Sequence, residues 1–434
     1  MPKGNKKRGA QKKGASQAGS HPPTDDENSN PDNWSTASVM SEDSSCYGSG
    51  SVGDDVEEDN TEQENFEDKL SECIDGLSAK SGPQRKKYLE GLKSAFSKKY
   101  TAEFLEKRKE TICDSLLRCV KKGKGDEQAL AAGCLSMLAV QLGEDLLSQY
   151  PDIQSALSVI VADESVAVKS RAECALALAM CCFLATDDYE EAYSVMAVLE
   201  AIFKQCFCKG DGTHPQFNPQ RSVLNNSCLT AWCLLLTSIP NFRIRELAGT
   251  YISKLTGLLN GPDTELRITA GEAIALLYDL CRDMDDTFGR EDDATDALCV
   301  KLKELSVEST KHMAKKDRRT QRSSFRDILR TVEEGEIPQT TVKIGVESLE
   351  LEGWSQKKQY DAFCQVLGSG INLHLKDNVV LRDFWGLGSP LPVGAKPEKK
   401  MSKVERNFHK NVANKARTVA RARSRDKRSA VIGF

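Results

Sequence analysis

Between residues 66 and 334 the apolar positions recur three and four residues apart, and this helical spacing itself repeats along the chain. Gln128, Ala131, Cys134, Met137 and Leu138 define one helix face. Equivalent sets follow at Arg171, Cys174, Ala177, Met180 and Cys181, at Asn225, Cys228, Ala231, Leu234 and Leu235, and at Arg267, Ala270, Ala273, Leu276 and Leu277. Arg85, Tyr88, Gly91, Ser94 and Ala95 form a weaker first copy. The steps are 43, 43, 54 and 42 residues, and most of the excess in the long step is the loop KGDGTHPQFNPQ at 209–220. Small residues at the third and sixth positions let a neighbouring helix approach closely, and the larger pair behind them fills the layer between repeats. A period of about 40–47 residues is that of armadillo and HEAT arrays. One repeat cannot bury its own face, so a stack of about five is expected to share a continuous core. A compact helical bundle is the competing architecture.

The period changes after EEGEIP at 333–338. Residues 341–344 and 348–351 read as a short hairpin. Two helical stretches follow at 355–367 and 371–384, hinged by Gly368-Ser369-Gly370, and together they read as a small α-rich capping module that ends at GLGSP. A Pro/Gly linker, PLPVGAKP, separates it from the last segment. The expected organisation is all-α: an arm over 1–64, a helical repeat domain over 65–336, a small C-terminal domain over 337–390, and a linker with a basic helix over 391–434.

Charge sharpens this picture. The net charge of −4 conceals strong segregation: residues 14–68 contain fifteen Asp and Glu and no Lys or Arg. With few large apolar residues, the 1–64 arm is expected to be disordered. In contrast, 396–428 holds thirteen Lys and Arg against Glu398, Glu405 and Asp426. On a wheel of about 100° per residue, Lys403, Arg406, Lys410, Arg417, Arg421 and Arg428 share one arc, and Val404, Phe408, Val412, Ala416 and Val419 lie roughly opposite. With Lys415, Arg423, Arg425 and Lys427, these residues make a candidate RNA-binding helix with one face for phosphates. A solvated tail or a nuclear import signal is the plainer reading. Lys315, Lys316, Arg318, Arg319, Arg322 and Arg326 make a second basic patch, read either as a polyanion contact or import signal, or as the solvated face of the last repeat.

No catalytic, cofactor-binding or metal-ligating set emerges. KKGKGDEQ at 121–128 lacks the order of a phosphate loop, and GxSxG, HExxH and zinc spacings are missing. The fifteen cysteines lie mostly in apolar helical patterns and read as reduced core thiols. MPKGNKKRGAQKKG has no apolar stretch behind it and does not read as a signal peptide. The longest apolar run, at 174–185, is short for a membrane span of about 18 or more residues. The expectation is an intracellular binding protein with neither a small-molecule substrate nor a membrane partner.

Five stretches carry a resemblance to the interferon-related developmental regulator family: EKRKETICDSLLRCVKKGKGDEQALAAGCLSMLAVQLG (106–143), RITAGEAIALLYDLCRDM (267–284), AKKDRRTQRSSFRDILRTVEEGE (314–336), VLGSGINLHLKDNVVLRDFWGLGSP (366–390) and KVERNFHKNVANKARTVARARSRDKR (403–428). The resemblance implies an armadillo-like array followed by a small C-terminal domain. It also implies one of two non-enzymatic activities. One is binding of translationally inactive ribosomes, with the C-terminal helix in the messenger and transfer RNA path. The other is nuclear co-regulation of transcription, with the repeats as a scaffold for deacetylase-containing repressor complexes. Ribosomal RNA and proteins held on the solenoid surface are the partners so implied, in the cytoplasm, with the nucleus as a second location.

Overall fold

The computed structural model describes residues 55–391, apart from 211, 212, 214, 216, 217, 291 and 309–314, and excluding the side chains of 55–61 and 315–317. Thirteen helices precede a hairpin: α1 (Asp55–Gly76), α2 (Gly82–Lys98), α3 (Ala102–Glu106), α4 (Lys109–Lys122), α5 (Asp126–Leu142), α6 (Tyr150–Ala162), α7 (Val168–Ala185), α8 (Tyr189–Phe203), α9 (Pro219–Leu236), α10 (Asn241–Leu258), α11 (Thr264–Arg282), α12 (Asp293–Val307) and α13 (Lys315–Glu334). They pack as six pairs, α1 with α2, α4 with α5, α6 with α7, α8 with α9, α10 with α11 and α12 with α13, and the second members form an inner row. All five sets of repeated positions fall on inner helices. The basic segment after 314 supplies a sixth inner helix, α13, so the array is one pair longer than the repeats read from sequence.

The stack is an all-α solenoid, and its middle inner helices, α5, α7 and α9, are apolar nearly all round. In α5, Ala131, Ala132, Cys134, Leu135, Met137 and Leu138 are all buried, and α7 and α9 follow suit. A helix of this kind is covered on both sides or is unstable. The segment Asp126–Leu146 is long and apolar enough to cross a membrane by length and composition, but 78% of its most apolar 18-residue window is buried inside the fold. The cysteines pack as small apolar groups, and burial pushes the thiols of Cys134, Cys174 and Cys233 up to about 12.

In the first three repeats the polar first position ties the inner helix to its surroundings. Arg85 donates to the Ala79 and Lys80 carbonyls just beyond α1 (2.8 and 3.0 Å) and grips Glu127 with two further nitrogens. Gln128 Nε2 donates to the Val120 carbonyl in the last turn of α4, and Arg171 Nε to that of Val161 near the end of α6 (2.8 and 2.9 Å). These groups satisfy carbonyls that a helix terminus leaves without an intrahelical donor. Lys86 and Lys169 both reach Asp126, so the N-terminal ends of α2, α5 and α7 lie side by side.

The remaining chain forms the hairpin β1 (Gln339–Ile344) and β2 (Glu347–Glu352), paired antiparallel from Gln339↔Glu352 to Ile344↔Glu347, then α14 (Gly353–Leu367), α15 (Ile371–Asp377) and α16 (Val379–Trp385). The hairpin and both helical stretches stand where the alternation and spacing place them, with a break at Asn378 within the second stretch. The module does not cap the end of the stack, as its position in sequence suggests, but lies as a strap across the inner row. Trp354 bonds Asp279 of α11 through its backbone N–H and Thr331 of α13 through Nε1 (2.8 Å each). Gln359 reaches Thr237 at the end of α9, and Phe363 packs edge-on to Phe183 of α7. The Leu367 carbonyl accepts from Ser97 beyond the last buried turn of α2, and Asn378 donates to the Val140 carbonyl of α5. His374 Nε2 donates to the Phe96 carbonyl at 2.8 Å while Nδ1 accepts from Asn378; burial lowers the His374 pKa, which suits this neutral tautomer. A Cβ on Gly370 would stand 2.0 Å from the Ser97 carbonyl oxygen, so only glycine permits this approach.

The N-terminal boundary also moves. The arm expected to run to 64 gives way to α1 at Asp55, because residues 55–64 are rich in helix-forming Glu and Gln and extend the turns nucleated by the buried Leu70, Ile74 and Leu77. Residues 1–54 lie outside the described residues.

The strap is clasped by Lys358 of α14, which is buried against Glu272 of α11, with Lys357 at 3.8 Å and Asp361 beside them. Burial alone would raise the Glu272 pKa, but the two lysines outweigh it and hold the carboxyl below its usual value; burial raises that of Asp361. Glu272→Gln leaves the Lys358 charge without its main partner and should cost about 3 kcal/mol at neutral pH. Because the folded-state pKa of Glu272 is depressed, the wild-type advantage is present above the unfolded value of about 4.3 and is lost as pH falls through the folded one. Denaturant melts of both proteins from neutral to strongly acid solution check this; a difference independent of pH would contradict it.

Candidate nucleic-acid interface

Helix α13 is strongly amphipathic. Phe325, Ile328 and Val332 are buried against the inner row, together with Gln321, Ser324 and Thr331. At about 100° per residue, Arg319, Arg322 and Arg326 fall on the opposite arc, with Arg318 at its edge. Arg319 and Arg326 are exposed, and Arg318 and Arg322 are half-buried. Arg322 Nε donates to the Arg318 carbonyl (3.3 Å), and Arg318 Nε is buried without a hydrogen-bond partner. None of the four forms an ion pair with a carboxylate among the described residues, and Arg319, Arg322 and Arg326 make a cationic stripe on the outward face. Lys315 and Lys316 open the helix, and their side chains are outside the described set. One face of the helix is thus core of the last pair and the other is a charged outward face.

The ten tail residues, Lys403, Arg406, Lys410, Lys415, Arg417, Arg421, Arg423, Arg425, Lys427 and Arg428, lie outside the described residues. What the structure gives is the anchorage from which their segment continues. Arg382 of α16 is 1% exposed and forms a two-pronged pair with Glu347 at the start of β2, 2.9 Å on each prong. Its nitrogens also donate to the carbonyls of Leu375, Lys376, Leu387, Gly388 and Ser389 at 2.8–3.3 Å. The chain wraps round the guanidinium because Gly386 takes a left-handed turn (φ 67°) and returns Leu387 N–H to the Arg382 carbonyl. One buried cation thus fixes the hairpin, the end of α15 and the GLGS turn that leads to the tail.

Sequence reading does not single out Arg382 or Glu347. The available signal is a lone arginine inside the apolar run VVLRDFW, immediately before a Gly-rich turn. Trp232 is fully buried with Nε1 bonded to Glu200, and Trp385 is half-buried, edge-on to Phe384.

Comparison with known proteins fits this division of the chain. The family model described as interferon-related developmental regulator matches residues 33–333, which include the six helix pairs. A second model, an interferon-related protein conserved region, matches 378–429; it begins at the cap of α16 and continues through Arg382 into the basic tail. Interferon-related developmental regulator 1 of Mus musculus is 41% identical over 389 residues, spanning 88% of this chain and 86% of its own. Regulator 1 of Homo sapiens is 40% identical over 386 residues, spanning 88% and 85%; regulator 2 of Mus musculus is 40% identical over 386 residues, spanning 88% and 87%. With array, anchor and tail all matched in order, the chain belongs to the interferon-related developmental regulator family.

Proposed function

We propose that the protein is a non-catalytic regulator of translation that binds inactive ribosomes in the cytoplasm, its basic C-terminal segment occupying the RNA path. The observation that carries this reading is the sorting of charge in 396–428, where basic and apolar residues take opposite arcs. The buried Arg382 anchor supports it, because it gives a charged segment a fixed point of departure. The Arg319, Arg322 and Arg326 stripe adds a second cationic face, without carboxylate partners among the described residues and suited to phosphate.

The alternative role of nuclear scaffold for deacetylase-type repressor complexes draws on the same array. The strap already lies across the inner row, so protein partners of that kind would have to use the outer helices. An import signal would explain the tail's charge but not its apolar arc.

Removal of 397–434 should leave the array and strap folded, since both end before it, and abolish co-sedimentation with 80S particles on a density gradient. Ribosome association that survives this truncation would place the anchor elsewhere and defeat the proposal. Within the tail, Arg417→Gln together with Arg421→Gln should flatten the slope of log K against log salt by roughly 1.5. Phe408→Ala with Val412→Ala should leave that slope alone and weaken binding at every salt concentration. A pure import signal would instead give unchanged ribosome binding for both pairs and a shift out of the nucleus for the charge pair only. Arg319→Gln with Arg326→Gln, tested in the full chain, should lower the same slope by a further 1–2 or so without altering the thermal midpoint.

A further inference from the structure

The outer row carries an aromatic group that the packing of the array does not use up. Phe242, in the first turn of α10, is 66% exposed, and among the described residues no other large aromatic side chain is mostly exposed. Tyr189, which opens α8, meets it edge-on at 6.2 Å. The Arg243 guanidinium lies over the rings of both Phe242 and Tyr193, 5.6 Å from each centroid. These rings thus already accept a guanidinium, the partner that the ring quadrupole favours. The rim is acidic. Glu190 and Asp188 stand close enough to the Tyr189 hydroxyl to push its pKa up. Glu246 pairs with Arg243 at 3.3 Å, an exposed contact that is readily exchanged. From 172 to 203, through most of α7 and all of α8, the chain has six Asp and Glu and no Lys or Arg. Tyrosine and arginine set round an exposed ring is the composition of interface hot spots.

The strap ends beside this group. Gln359 reaches Thr237, at the turn that leads into α10, and its neighbour Tyr360 lies edge-on to Trp385, the last residue of α16. Phe384 lies edge-on to Phe183, close to the end of α7 and the 186–188 connection into α8. Both connections that bear the aromatic group are therefore near the point where the chain leaves the fold. At about 3.3 Å per residue, the segment from Leu391 to Lys403 spans up to about 40 Å. The region 396–428 holds thirteen Lys and Arg.

We propose that this acid-rimmed aromatic patch is a docking site for the chain's own basic segment, 403–428. An arginine of the segment lies on the exposed surface of Phe242, and the carboxylates of Asp188 and Glu190 take neighbouring charges. Each such contact is weak at a solvated surface, but the tether presents the segment at an effective concentration of about millimolar, so weak contacts suffice. The docked side chains are the ones that meet phosphate in the ribosome reading, so patch and RNA compete for them. The docking stands without that reading; its release by RNA rests on it.

The full chain with photoreactive benzoylphenylalanine in place of Phe242 tests this at low salt. Because the position is exposed, the larger ring should leave the thermal midpoint unchanged. Irradiation and peptide mapping should join position 242 to 403–428 of the same chain. The same analogue at Val300, 60% exposed on α12, should give several times less of that product. Glu190→Gln should lower the yield from position 242 by about twofold, and the product should vanish from chains bound to poly(U). Mixing isotope-labelled with unlabelled chains identifies the occupant: a mixed product gives the patch to a second copy and overturns the proposal. Absence of any 403–428 product, equal yields from the two positions, or a product that persists in the poly(U)-bound chain overturns it as well. The two readings fail separately. A crosslink in a chain that binds no RNA keeps the docking and defeats the ribosome reading, and RNA binding without a crosslink does the reverse.

Discussion

The middle inner helices, α5, α7 and α9, carry apolar side chains on nearly every side, so they have to be covered twice. The outer row covers one side and the strap much of the other. From this need follow the features that hold the C-terminal module down. Gly370 lies where no Cβ would fit against α2. Lys358 is taken out of water because α14 must lie flat on α11, and Glu272 is there to meet it. The aromatic cluster of Phe183, Phe363 and Phe384, with ring centroids 5.4–6.4 Å apart, fills the middle of the crossing. The strap is therefore part of the core of the array.

The helices of the array were legible because their burial demand is local and periodic. Ala131, Cys134 and Met137 announce an inner helix on sequence spacing alone, and the alternation in 341–351 announces the hairpin. What was not legible depends on partners far away in sequence. Ser97 and Leu367 are 270 residues apart and His374 and Phe96 are 278 apart, and no local pattern joins them. Hence the module reads as a cap, the natural place for a short domain that follows a repeat array, and its true position emerges only from three-dimensional packing. Asn225 shows a subtler limit. Its register with Gln128 and Arg171 is plain in the sequence, but that it is too short to reach a carbonyl is not.

For the candidate site the balance is different. The Arg318–Arg326 stripe could be read as a charged helix, yet sequence alone could not say that its other face is core. Arg382 was invisible because its role is defined by five carbonyls and a carboxylate drawn from three separate segments. The buried ion pair of Arg382 holds the described chain up to Ser389, from which the basic segment continues. Glu347 answers the Arg382 charge inside the fold, and among the described residues no carboxylate answers the exposed arginines of α13. One arginine is structural and the others are available.

The strap also sets an order of events during synthesis. Neighbouring helix pairs close short loops and can form as soon as they are complete, as in other arrays with mostly local contacts. The strap cannot dock until its own residues, near the end of the chain, have been made. Until then the inner row displays Ala-, Leu- and Cys-rich surface that is apolar on a helix meant to be enclosed. Incomplete chains and products truncated before 385 would therefore carry a sticky, thiol-rich groove, the kind of surface that chaperones hold and quality-control proteases recognise. A completed strap covers that surface, so the array is closed over only once the last described helix has been made.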